Sequence, residues 1–290
     1  MDVLEALSKR IDTTQSLRSV VRTMKALSAA SIAQYESAVR SMRQYMRTVE
    51  MGLGVALRSG YRPPQDFAAA DGAIMAVVFG SDHSLCGGFN ERIVGAAVED
   101  QRLSQGSGWL WMAVGTLAAG TLESAGKTVA QTIDLPGTAS GLVDTSHRLL
   151  LAINDWRARH AVSRVLLFHN RRREEAAEPH RQQLWPHDPR WLDTLAQRPW
   201  RSQSIPTFTM NAGELFAALA REHLFASLFR SGAESLASEH AMRLAAMQHA
   251  LRNIDDHLTE MIAEFRRKRQ DKITSELMDV VAGFEMLKAR

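Results

Sequence analysis

Proline is missing from both ends of this chain: all eight lie between Pro63 and Pro206, and the first 51 residues hold no glycine either. A proline inside a helix removes a hydrogen bond and clashes with the preceding turn, costing about 3 kcal/mol. Without that obstacle each end is free to form one very long helix, flanking a middle that reads as an ordinary folded domain. Long helices cannot bury themselves alone, so a shaft with a head points to mechanical or scaffolding work rather than catalysis. The single cysteine, Cys86, excludes an internal disulfide and fits a reducing compartment. A net charge of +3 is too small to signal wholesale nucleic-acid binding. The opening Met1-Asp2-Val3-Leu4-Glu5 is acidic where a signal peptide needs a basic and then an apolar stretch, so none is expected. Long hydrophobic runs are lacking too. Leu103 to Leu122 is uncharged over about the 20 residues a bilayer requires, but it holds four glycines, and its strongly apolar part is only Trp109 to Val114. No transmembrane helix is expected, and any membrane role would come through partners.

Against these absences stand two periodic stretches. Leu4, Leu7, Ile11, Val21, Ile32, Tyr35, Val39, Met42, Met46, Val49 and Leu53 fall on alternating three- and four-residue steps, interrupted by Thr14, Arg18, Lys25 and Ser28. This is the 3.5-residue stripe of a coiled coil. Leu17, Met24 and Leu27 thicken one flank, which predicts a broad partner face there. The helix can run to about Ser59, before Gly60 and Pro63-Pro64. The C-terminal helix is predicted to begin near Asn211, a good N-cap with Glu214 three residues on. Met247, Leu251, Ile254, Leu258, Met261 and Phe265 keep the same alternation. After the basic run Arg266-Arg267-Lys268-Arg269-Gln270-Asp271-Lys272 the stripe resumes one residue late, at Ile273, Leu277, Val280, Phe284 and Leu287, with Val281 beside it. One extra residue turns the apolar face by about 100°.

Length accounts for that shift. Antiparallel helices starting level at the domain place Ser59 near Asn211 and Met1 opposite roughly residue 269. Beyond it about 20 residues, or roughly 30 Å of helix, have no partner in this chain, yet they carry an apolar stripe. Such a helix is marginal alone in water, so another protein is expected to receive it. The predicted division is 1–59 for the first helix, 60–206 for the globular domain, and 207–290 for the second helix with its tip at 271–290.

In the middle, Ala73 to Phe79, Trp109 to Val114, Thr128 to Leu135 and Val162 to Phe168 read as strands, alternating with helical stretches at Glu91 to Gln101 and His147 to His160. That order predicts an α/β layer with a mainly parallel sheet between the two terminal helices. Arg171 to Trp200 reads as irregular structure plus one late strand. Three chemical leads fall away. Gly120 to Thr128 has five residues between its glycines where a phosphate loop has four, and its lysine runs into a strand rather than a helix. It reads instead as a short helix ended by a glycine turn. Ser81-Asp82-His83-Ser84 are neighbours in sequence and cannot form a serial triad. His169, His180 and His187 lack metal-site spacing and read as solvated loop histidines. No catalytic, cofactor-binding or metal-ligating residue is expected.

Ser81-Asp82, Leu85-Cys86-Gly87-Gly88-Phe89-Asn90, directly after the first strand, resembles the hallmark of the gamma subunit of F-type ATP synthases. Physically it is a strand-to-helix turn whose glycines permit close backbone approach, with Leu85, Cys86 and Phe89 expected to pack beneath it. Glu234-Ser235, Ala237-Ser238-Glu239-His240-Ala241 and Arg243, then Arg267, Arg269-Gln270, Ile273-Thr274, Glu276, Asp279 and Gly283 match the same family, as do Arg10-Ile11, Arg18 and Met24. The resemblance covers the whole chain in order. It implies an antiparallel coiled-coil shaft without an active site, turning inside a ring of alpha and beta subunits. Its domain would touch the epsilon subunit and the membrane rotor ring of c subunits, at the cytoplasmic face of a bacterial inner membrane. The resemblance further implies that Arg269, Gln270 and Thr274 hydrogen-bond a beta-subunit loop, with Met24 near the same region. Ile273, Leu277, Val280, Val281, Phe284 and Leu287 would run in the ring's apolar bearing. Departures occur at Ser31-Ile32, where a basic residue is usual, at Arg266 and Lys268, at Phe284, and at Thr207 to Asn211 in place of an aromatic-rich segment. These point to a divergent or alternate bacterial form. A coiled-coil scaffold lacks phosphate-binding signatures at its ends, and a nucleotide-using enzyme is opposed by the misspaced glycine loop.

Overall fold

The apolar run Ala73–Phe79 forms a strand, β1, and its alternating side chains explain why no polar residue interrupts it. Met75, Val77 and Phe79 pack into one core, and Ile74, Ala76 and Val78 into another on the opposite face. A strand covered on both faces has no polar side to show. The structure, a computed structural model, describes residues 3–63, 72–103, 108–173, 176–200 and 203–288, without the side chains of 176 and 285–288. Pro64, residues 104–107 and the Leu287 side chain therefore lie outside the described residues.

The order is α1 (Val3–Arg58), β1, α2 (Phe89–Leu103), β2 (Trp109–Val114), α3 (Thr116–Ser124), β3 (Val129–Ile133), α4 (Gly141–Arg159), β4 (Val162–Arg173), β5 (Ala176–Trp185), α5 (Pro189–Gln197) and α6 (Ala212–Lys288). The five strands lie in the order β3-β2-β1-β4-β5, with β5 alone antiparallel. The mainly parallel sheet between two long helices is the expected architecture. Residues 189–197, expected to be irregular, form helix α5 instead. Asp188 caps it by accepting a hydrogen bond from the Arg190 amide at 2.9 Å, and Pro189 starts it.

By packing, the chain divides into residues 28–243 and a second unit of residues up to 27 with those from 244 onward. Within residues 28–243, α2 and α3 cover one face of the sheet and α4 the other. The α6 stretch 231–239 is buried all round, as a helix enclosed on every side must be. It can be so because it is built of small residues. A side chain at Gly232 would meet Leu142 Cδ1 at 2.9 Å and Phe79 Cε1 at 3.4 Å. The α1 segment pairs with α6 through Tyr35 stacked on His240 at 5.6 Å, and Tyr61, just past α1, packs against Phe216 at 5.2 Å. The predicted cap is present: Asn211 Oδ1 accepts from the Glu214 amide at 2.8 Å.

In the other unit, Arg18 Nε donates to Asp255 at 2.6 Å, fixing an antiparallel register. Leu7, Val21, Met247 and Leu258 are its buried seam. The flank does not join that seam. Leu17, Val20, Met24 and Leu27 are 37–63% exposed, because a pair of helices buries only one narrow a/d stripe.

Candidate functional site

The motif turn after β1 is a structural joint. The Ser81 amide donates to Asn90 Oδ1 at 2.9 Å, and Asn90 Nδ2 returns a bond to Ser81 Oγ at 2.9 Å. Asp82 accepts from the Thr116 and Leu135 amides, both at 2.7 Å, and so ties the loops after β2 and β3 to the turn. Gly87 has φ of +61°, which its missing Cβ permits. Cys86 and Phe89 are buried against Met242 and Ala177 as expected. Leu85 is not: it sits at φ +67° and 54% exposed, turned away by its left-handed backbone. Gly88 has room for a side chain, with Glu91 Oε2 no nearer than 4.0 Å.

The second motif, on α6, locks onto this turn. Arg243 Nη2 donates to His83 O at 3.2 Å, to Ser84 O at 3.4 Å and to Glu239 Oε1 at 2.6 Å. Burial pushes the Glu239 carboxyl up to about 7, with Arg243 only partly offsetting it. Burial likewise raises Tyr35 to about 12. One turn earlier Glu234 accepts from Arg171 Nε at 2.6 Å and from His169 Nε2–H at 3.0 Å. Burial raises the Glu234 carboxyl, but the His169 hydrogen bond and the charges of Arg171 and Arg230 outweigh it and hold it at about 2. Two of the three histidines correct the expectation of solvated loop positions, whereas His187 does lie between β5 and α5, where burial lowers its pKa to about 4. His169 and His180 lie on paired strands, and burial lowers both; His169 is fully enclosed. Among the described residues no group of three or more His, Cys, Asp or Glu side chains has metal-site geometry.

Doubly wound sheets bind ligands in the crevice beyond the strand ends where the order reverses. Here that place, between β1 and β4, is filled by the chain itself. Ser235 Oγ donates to Phe79 O at 3.5 Å, and Glu234 meets His169. The loop at Gly126 (φ +75°) ends α3 and leads into β3, leaving no helix N-terminus for a phosphate. The Asp82 ties and the Glu234 cluster join residues far apart in sequence and leave little trace in it. Their only signal was a helix with charged residues set among small ones.

The other unit presents a surface rather than a pocket. Ile273, Leu277, Val280, Val281 and Phe284 are 49–71% exposed, and Met278 joins them. Arg266, Arg267, Arg269 and Gln270 are exposed above that stripe, while Lys268 pairs with Glu264 at 2.9 Å. Thr274 Oγ1 donates to Gln270 O at 2.9 Å. Arg269, Gln270 and Thr274 thus lie within about a turn and a half of one another on α6. Met24 lies apart from them: the Arg18–Asp255 register sets Met24 level with about residue 249, roughly 30 Å along the helix from Arg269.

A profile described as ATP synthase matches residues 3–287. The chain is 28% identical to the ATP synthase gamma chain of Rhizorhabdus wittichii, over 99% of this chain and 100% of that protein. It is 26% identical to the gamma chain of Geotalea uraniireducens, with the same coverage. Its fold is similar to a chain in the Euglena gracilis mitochondrial ATP synthase OSCP/F1/c-ring structure (TM-score 0.67, 16% identity, 99% of this chain and 95% of that one).

Proposed function

The chain belongs to the ATP synthase gamma family, and we propose that its exposed tip and collar are the parts that carry torque to the catalytic ring. It is a non-catalytic central-stalk subunit, and catalysis belongs to the beta subunits of the complex. Its helical shaft turns within the alpha and beta subunits, and the epsilon subunit and rotor ring are its further partners. Rotation moves each catalytic site through states of different nucleotide affinity, because an asymmetric shaft contacts the states unequally.

In this reading the stripe of Ile273, Leu277, Val280, Val281, Phe284 and Leu287 runs in an apolar bearing. Arg269, Gln270 and Thr274 grip a beta-subunit loop, and Met24 touches the ring at a separate level. Ser81, Asp82, Leu85, Cys86, Gly87, Gly88, Phe89 and Asn90 form the joint that fixes the head to α6. The working division is 1–59 and 207–290 for the shaft and 60–206 for the head, at the cytoplasmic face of a bacterial inner membrane. Among the described residues no helix is long and apolar enough to cross a membrane. The observation that supports the bearing is the exposed tip stripe itself, since apolar area in water costs about 25 cal/mol per Å².

The test is reconstitution with alpha, beta and epsilon subunits and the rotor ring. A chain ending at Gln270 is expected to assemble weakly or lose coupled ATP synthesis. Arg269→Ala with Gln270→Ala is expected to slow coupled hydrolysis about tenfold, the loss of one charge-assisted contact. Full coupled turnover by both variants would refute the assignment.

A further inference from the structure

Within residues 28–243 there is a cavity of about 770 Å³. It lies where the end of α1, α4, the end of β5, α5 and the first turns of α6 meet. Small-molecule sites span roughly 300–1,000 Å³, so the size is that of a ligand site. Leu57, Leu150, Leu192, Phe216 and Leu224 supply apolar walls. The charged lining is Arg62, Arg157 and Arg221 against a single carboxylate, Asp193.

Arg157 is the informative member. Its guanidinium carbon lies 3.6 Å from the centroid of the Trp185 ring. Asp155, two residues earlier on α4, faces another side of the helix and is taken by Arg159. Arg157 Nε is buried with no hydrogen-bond partner, and burial pulls its pKa down. A buried donor left unmade costs about 1–3 kcal/mol. Arg62, by contrast, directs Nη1 to the Leu57 and Tyr61 carbonyls at 3.0 and 3.2 Å, so it forms wall. Arg221 is exposed at the lining. The cavity therefore offers an apolar interior and a stacked cation whose Nε lacks an acceptor.

We propose that this cavity binds a small anionic amphiphile, an alkyl chain ending in a carboxylate, with the chain along Leu57, Leu192, Phe216 and Leu224 and the carboxylate accepting from Arg157. None of its residues belongs to the tip or the collar.

The probe is decanoate, titrated calorimetrically into the full-length chain, with decanol and decyltrimethylammonium as neutral and cationic counterparts. Saturable binding of decanoate, at least tenfold tighter than either counterpart, is expected, because a charge-assisted bond supplies that factor. Arg157→Gln is expected to weaken decanoate about tenfold, and Ala220→Phe, which fills the cavity from α6, to abolish binding. Arg159→Gln, on the same helix but outside the cavity, is expected to bind unchanged. Hydrogen exchange on the unaltered chain provides a readout that needs no variant: decanoate is expected to protect the α5 and early α6 amides. Equal binding of the three probes, unchanged affinity in folded Arg157→Gln or Ala220→Phe, or no protection by decanoate would overturn the site.

Discussion

One helix, α6, is buried on all sides over residues 231–239 and bare over residues 271–282. The buried stretch is the less apolar of the two. It relies on Ser231, Gly232, Ala233, Ser235, Ala237 and Ser238, whose small volumes let the sheet, α4 and α1 close around it. The bare stretch carries Ile273, Leu277, Met278, Val280 and Val281, yet nothing in its own unit covers them. Apolar content therefore does not decide burial here; the availability of a complementary surface does. Where the chain supplies one, small residues suffice. Where it supplies none, large apolar residues mark a surface meant for other subunits.

The largest effect is expected in the buried stretch. Glu234→Ala leaves Arg171, Arg230 and His169 without their shared carboxylate, and loss of one member of a buried ion cluster costs about 3–5 kcal/mol. Chemical denaturation of the isolated chain measures it, and a change below 1 kcal/mol would break the comparison. The same cluster gives an acid limb to stability. The Glu234 carboxyl is lowered to about 2 in the fold, so its contribution is complete above the ordinary carboxylate range and is lost as pH falls toward 2.

Glu239 has the opposite sign. Its folded carboxyl is raised to about 7, so the folded state holds a proton that the unfolded state releases near 4.5. Its contribution is complete below that lower value and is lost as pH rises through 7. Glu239→Gln is expected to flatten the fall in unfolding midpoint between about pH 5 and 8, and an unchanged slope would contradict the buried, proton-retaining carboxyl.

The smallest effect on stability is expected at the tip. Ile273→Gln, Leu277→Gln and Phe284→Gln together are expected to shift the isolated chain's unfolding by less than about 0.5 kcal/mol. The same variant is expected to bind alpha and beta subunits at least tenfold more weakly in a pull-down titration, since several apolar anchors are lost.

Most of the fold was legible because its signals are local. Unbroken apolar runs placed β1 and β2 to the residue, and the antiparallel helix register followed from lengths alone. The exposed tip was legible for the same reason, since the eight-residue step shifts the stripe where the partner helix ends. Helix α5 was not legible, because tryptophan and proline masked a nine-residue helix whose start is set by the Asp188 cap. Nor could sequence show that Leu17, Met24 and Leu27 remain outside the seam, which depends on how many helices share it. Leu85 was misjudged because a left-handed backbone, not hydrophobicity, sets its direction. The pairing of Glu234 with His169 joins residues 65 apart in sequence, a contact only the folded sheet creates.

The most direct test uses the fact that the one native cysteine, Cys86, is buried. Leu277→Cys, placed at a position 60% exposed, is labelled with a maleimide in the isolated chain and again after assembly with alpha and beta subunits. Rapid labelling is expected in isolation, with at least a tenfold slowing in the complex. Equal rates in both would show that the tip is not sheathed by the ring.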